Sequence, residues 1–200
     1  MAEINLRGLR DLDKTQYPWV EVVLADFNTF LSDHASAEKK ASGMALSMAS
    51  HYPDRPEILI AMTDLAIEEL AHYKQVINLI LERGLIPQSD RKDTYVVELN
   101  GKARKGRDEF LLDRLLIAAL IERRGAERFE LIARHLEDTQ LANFYRNLAN
   151  SEARHWVLFV NLASGNYPES HIVSRFNELS EIENDILSRL PISARLHRPI

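Results

Sequence analysis

Two segments of this 200-residue chain set an acid and an imidazole three residues apart on otherwise apolar helical stripes. DLAIEELAHYKQV (64–76) carries Glu69 and His72, and LANSEARHWVLF (148–159) carries Glu152 and His155. With Glu69 and Glu152 taken as equivalent, the chain shows a loose internal repeat: Glu38 lies 31 residues before Glu69, and Glu122 lies 30 before Glu152. A Glu from each of two helices and Glu-x-x-His from each of two others is the ligand inventory of carboxylate-bridged di-iron or di-manganese bundles.

Helical neighbours select these acids over the ones beside them. Glu122 has Ala118, Ala119, Gly125 and Ala126 one turn away, whereas Glu127 has Arg123, Arg124 and Glu130. Glu38 is flanked by His34, Ala35, Ala41 and Ser42; Glu69 has Leu65, Ala66, Tyr73 and Val76, unlike Glu68 with Asp64. Small neighbours leave room for a metal. A lone Glu-x-x-His on a helix usually means a half-exposed polar pair, but two copies, each with a partner Glu, point to ligands.

The energetics point the same way. Burying an unpartnered carboxylate costs several kcal/mol, so four together would rival the roughly 5–15 kcal/mol net stability of a domain. Two divalent cations balance four carboxylates, and each imidazole ligates through one nitrogen while the other finds an acceptor outside the site. Mixed carboxylate and imidazole ligands suit iron, and manganese also matches by ligand type. Cysteine is absent, which excludes disulfides, thiolate zinc sites, cysteine-bound clusters and a thiol nucleophile.

Positioning these groups takes four long helices. Apolar residues recur at three- and four-residue intervals, predicting an all-α chain. Val22, Val23, Phe27, Phe30 and Leu31 form one run after Pro18. Ser32 or Asp33 offers a cap for a second, ending before Pro53, whether as one kinked helix or two. A helix of roughly 40 Å runs from Pro56 to a cap at Gly84. Residues 85–107 break the periodicity and read as a long crossover, with a short helix or extended piece around YVVEL. Helices follow at about 108–136 and 139–164, and Ile172 to Leu190 form a last amphipathic helix ended by Pro191. The pattern predicts a ferritin-like four-helix bundle with one long crossover and additional N- and C-terminal helices, forming one domain over residues 1–200.

Composition fits that reading: 46% hydrophobic and 28% charged residues, with seven glycines and seven prolines. A net charge of −5 argues against a surface that is basic throughout but leaves room for a local basic patch. The N-terminus lacks an apolar signal region and no window reaches the roughly 20 apolar residues of a membrane span, so a soluble, cytoplasmic protein is expected. NGKARKGR (100–107) concentrates Lys102, Arg104, Lys105 and Arg107, which would suit phosphates or a solvated loop equally. His51, His135, His171 and His197 read as surface or capping residues, and the two tryptophans and the phenylalanines as core.

LADFNTFLSDHASAEKKASGMALSM, LAIEELAHYKQVINLILERG, LLDRLLIAALIERRGAERFELIARHL and FYRNLANSEARHWVLFVNLA together resemble the tRNA 2-methylthio-N6-isopentenyladenosine hydroxylase family, MiaE. The likeness runs in order from about residue 18 to the ARLHR tail, and IERRGAERF and SEARHW match beyond the ligands. The resemblance implies a non-haem di-iron monooxygenase that hydroxylates the isopentenyl group of a hypermodified adenosine at tRNA position 37. It makes Glu38, Glu69, His72, Glu122, Glu152 and His155 the ligands of two iron ions, with O2 as co-substrate. It also implies an external electron donor of ferredoxin type, an anticodon stem-loop held by Lys102, Arg104, Lys105 and Arg107, and a pocket rim supplied by Tyr95. Two departures stand out: RRGA has Gly125 and Ala126 where a small polar pair is expected, and the crossover around Tyr95 diverges. Rival readings are an iron-storing or peroxide-scavenging ferritin-like protein and a metal-free helical interaction protein. The expected state is a monomer or small homo-oligomer.

Overall fold

The run after Pro18 breaks at Asp26 into two helices. α1 (Tyr17–Ala25) ends there, and α2 (Phe27–His51) begins with the Asp26 carboxylate accepting from Thr29 N at 3.3 Å. Ser32 and Asp33, expected as the cap, therefore lie inside α2, because an acid one turn earlier already satisfies the first free N–H groups. The computed structural model describes residues 8–198; among them are seven helices and no strand, the expected all-α, ferritin-like class.

α3 (Pro56–Glu82) starts with proline in its first turn, where no N–H is needed. It stops at Gly84, whose φ of 69° is a left-handed conformation costly to any residue with a β-carbon. The crossover contains one short helix, α4 (Thr94–Asn100), capped by Asp93. α5 (Arg107–His135) and α6 (Thr139–Ser164) form a hairpin whose second helix opens with Asp138 accepting from Gln140 N and Leu141 N. α7 (Glu169–Arg189) follows.

The chain divides into two compact units, with the first boundary inside α1. One unit spans residues 23–92 and 194–196 and is built on the α2–α3 hairpin. Phe30, Leu31, Ala45, Met48, Ile58, Met62, Val76 and Ile80 fill its interior. Ser42 on α2 donates to Ala66 O on α3 at 2.8 Å. The start of the crossover lies along α2, held by Lys39 on Asp90 and by Lys40 on Arg91 O, each at 2.6 Å.

The other unit, residues 8–22, 93–193 and 197–198, contains α4 to α7. Its core holds charge as well as hydrocarbon. Arg124 on α5 donates Nε to Glu183 Oε1 at 2.8 Å and Nη2 to Oε2 at 3.0 Å, reaching α7. The fork-to-fork geometry holds the Arg124 guanidinium charged despite its burial. Arg128 is fully buried over the Trp19 ring at 4.9 Å, with Thr15 Oγ1 and the Arg198 carbonyl as acceptors. Burial, and then the positive charge of Arg124, pull its guanidinium down to about 10.

His197 is not a surface residue, contrary to its sequence reading. It is buried, stacks on Tyr95 at 4.6 Å and lies 2.7 Å from Oδ2 of the half-buried Asp93, which gives the imidazole an acceptor. His51 and His135 do lie exposed, each on the carbonyl of the preceding turn.

Candidate metal centre

In the α2–α3 unit, Leu65, Ala66 and Val76 face inward, and the same helical stripe carries Glu69 and His72 inside with them. Glu38 is buried on the opposing α2. His72 Nδ1 lies 3.1 Å from Glu69 Oε2 and 3.6 Å from Glu38 Oε2. Glu68, the adjacent acid, is 42% exposed and only approaches the outer nitrogen, with Oε1 4.0 Å from His72 Nε2.

A fourth group joins this triad. His34, one turn before Glu38 on α2, is fully buried with Nε2 2.7 Å from Glu38 Oε1. Burial alone would raise the Glu38 carboxyl, but hydrogen bonding from His34 and His72 overrides it and holds the group well below the usual carboxylate range. Burial likewise opposes charging of His72, yet Glu38 and Glu69 lift the imidazole to about 9. A cation bound by the imidazole must displace any proton held there.

The α5–α6 hairpin repeats the arrangement. Glu122 on α5 and Glu152 and His155 on α6 are all buried. His155 Nδ1 lies 3.4 Å from Glu152 Oε2 and 4.0 Å from Glu122 Oε2. Glu127, set aside on sequence grounds, is engaged elsewhere: its carboxylate accepts from Thr15 N at 2.8 Å and Thr15 Oγ1 at 2.6 Å. A β-carbon at Gly125 would meet Glu152 Cγ at 3.7 Å, an ordinary contact, so alanine fits there.

Each triad therefore offers one ligand atom per residue, all within 4.8 Å of one another. In both, the imidazole turns Nδ1 toward both carboxylates. Four buried carboxylates and two imidazoles fit divalent iron in ligand type, and two such ions offset the buried negative charge.

The other candidates fare differently. Arg104 does not extend to solvent as a free cation: Nε and Nη2 both engage Asp113, and its backbone N–H donates to the same carboxylate at 2.8 Å. Lys102, Lys105 and Arg107 are exposed. Tyr95 is fully buried instead of standing at a rim, because α4 packs it against α7, where its hydroxyl donates to Glu183 Oε1 at 3.2 Å. Trp156 is only partly buried, beneath the Arg123 guanidinium at 5.0 Å. The sequence reading missed His34, although its spacing to Glu38, one turn along α2, was the available signal.

The chain matches the family described as tRNA-(MS[2]IO[6]A)-hydroxylase (MiaE) over residues 9–198. It is 37% identical over 161 residues, 80% of this chain and 78% of the relative, to the tRNA 2-(methylsulfanyl)-N(6)-isopentenyladenosine(37) hydroxylase of Pseudomonas putida strain KT2440. The protein of the same description in Salmonella typhimurium is 29% identical over 82% of this chain and 60% of that protein. A solved structure titled as Protein 43 with aldehyde deformylating oxygenase activity from Synechococcus superposes with a TM-score of 0.90 at 37% identity, covering 96% of each chain. The family match spans nearly the whole chain and includes all six candidate ligands: this protein belongs to the tRNA-(MS[2]IO[6]A)-hydroxylase (MiaE) family.

Proposed function

We propose that this protein is an O2-dependent di-iron monooxygenase that hydroxylates the isopentenyl group of 2-methylthio-N6-isopentenyladenosine at position 37 of tRNA. The observation that carries the reading is the paired triad, Glu38 with Glu69 and His72, and Glu122 with Glu152 and His155, in a chain of this family. Bound iron would supply the activation of O2 that an unactivated C–H bond requires.

The chain's own residues do the rest. Glu38, Glu69 and His72 would hold iron in one unit, and Glu122, Glu152 and His155 would hold it in the other. His34 fixes the orientation of Glu38 through the bond to Oε1. Burial of all six ligand side chains keeps bulk water from them, which would strengthen their hold on the cations. Electrons come from a separate donor, since the chain has neither cysteine for a cluster nor a glycine-rich dinucleotide loop. Among the described residues no helix is long and apolar enough to cross a membrane, which agrees with action on tRNA in the cytoplasm.

The test is nucleoside analysis of modified tRNA after incubation with iron-loaded protein, reductant and O2. A nucleoside one oxygen atom heavier is expected at the isopentenyladenosine; its absence with a loaded protein defeats the substrate assignment. The likeness to a protein with aldehyde deformylating oxygenase activity favours a second reading, in which the same iron chemistry acts on an aldehyde. Loss of the formyl group from an added aldehyde, with tRNA unchanged, would select it. Consumption of peroxide with neither product would select the scavenging alternative.

A further inference from the structure

The crossover does more than connect helices. Where it lies along α2 it closes a cleft lined by Thr29, Ser32, Asp33 and Ser36 of α2, by Gln88, Ser89 and Arg91, and by Arg195 of the C-terminal segment, all within one unit. At 100° per residue, positions 29, 32, 36 and 40 form one stripe of α2, and Glu38 lies on the opposite face. The hydroxyl stripe is thus separate from the metal ligands.

The hydroxyls on this stripe are unusual in what they leave undone. Elsewhere Ser50, Thr63 and Ser180 donate to the carbonyl one turn back, at 2.7–2.9 Å. Thr29 and Ser32 instead accept, Thr29 Oγ1 from Gln88 Nε2 and Ser32 Oγ from Gln88 N, both at 3.3 Å, so their own O–H groups remain to donate. Ser36 is 8% exposed and its Oγ meets no partner at hydrogen-bond geometry, although Asp90 is near. A buried hydroxyl in that state costs free energy unless a ligand completes it.

The acids around the cleft are already committed. Asp33 Oδ2 accepts from Leu196 N at 2.9 Å, and Asp90 is paired with Lys39 at 2.6 Å. Against them stand the exposed Arg91 and the half-buried Arg195, with Lys40 at the end of the hydroxyl stripe holding Arg91 O. Hydroxyl donors beside guanidinium forks recognise an oxyanion, and phosphate is one that guanidinium geometry fits.

We infer that this cleft binds a phosphate oxyanion, and that the phosphate belongs to an RNA backbone. The choice of RNA rests on the function proposed above; the oxyanion site rests on the cleft alone. Phosphate contacts of this kind fix the position of a nucleic acid without reading its sequence.

The experiment compares wild type, Arg91→Ala and Ser36→Ala for affinity toward an anticodon stem-loop RNA over a salt series, for competition by inorganic phosphate, and for iron content. Arg91→Ala should weaken RNA binding about tenfold and lower the log–log salt slope by about 1. Ser36→Ala should weaken it roughly three- to tenfold while leaving thermal stability equal or higher, an outcome that a packing role cannot give. Iron content should be unchanged in both. Phosphate binding that requires Arg91 while RNA affinity does not would keep the oxyanion site and overturn the RNA assignment. RNA and phosphate binding untouched by both variants would overturn the site itself. Hydroxylation of the free modified nucleoside, read in parallel, reports on the proposed reaction independently of RNA contacts.

Discussion

His34 Nε2 stands 2.7 Å from Glu38 Oε1, one turn away on α2, with both side chains buried. The pair restricts the rotamer of a carboxylate whose other oxygen, Oε2, approaches His72. Outer partners of this kind typically change metal affinity 10- to 100-fold. His34→Ala is expected to lower iron retention on dialysis by about that factor. His34→Gln, which keeps an N–H donor, should recover part of it. Equal retention in wild type and His34→Ala would deny His34 an orienting role.

The Arg124–Glu183 pair should be among the most costly to break. Both side chains are fully buried, so removing Glu183 leaves the Arg124 guanidinium with only the Asp13 carbonyl at 2.7 Å and the half-buried Glu127 at 3.3 Å, at a cost of about 3–5 kcal/mol. Glu183→Ala should lose that much in chemical denaturation. Tyr95→Phe removes only the hydroxyl donor to the same carboxylate and should cost about 1 kcal/mol. A smaller loss for Glu183→Ala than for Tyr95→Phe would contradict the ranking.

Asp113 links stability to pH. Burial alone would raise its carboxyl, but Arg104, through side chain and backbone, and Arg175 hold it below the usual carboxylate range. A group depressed in the folded state stabilises the fold above its unfolded pKa, and that contribution disappears as pH falls through the folded value. Asp113→Asn should therefore cost about 2–3 kcal/mol at neutral pH, less than a fully buried pair because Arg104 is 39% exposed. The gap to wild type should narrow on acidification in urea titrations. A constant gap would show that charge at Asp113 is not what stabilises the fold.

Local chemistry was legible in the sequence. Glu-x-x-His spacing, the small neighbours of Glu122, Pro56 and Gly84 all act within one or two turns, and the helices begin and end where those residues direct. Long-range contacts were not. Arg124 meets Glu183 across 59 residues, Tyr95 meets Glu183 across 88, and His197 meets Asp93 across 104. Charged and aromatic residues in such contacts read as surface until the fold supplies their partners. The short cap at Asp26 was missed for a different reason: Ser32 and Asp33 were equally good capping types, and only the backbone break selects among them.

The most direct test of the account is metal analysis of the iron-loaded protein and of Glu69→Ala and His155→Ala, one ligand from each triad. The account predicts two irons per chain in wild type and a clear loss from both variants, with helical content retained. Full iron content in either variant would contradict the ligand assignment from which the proposed chemistry follows.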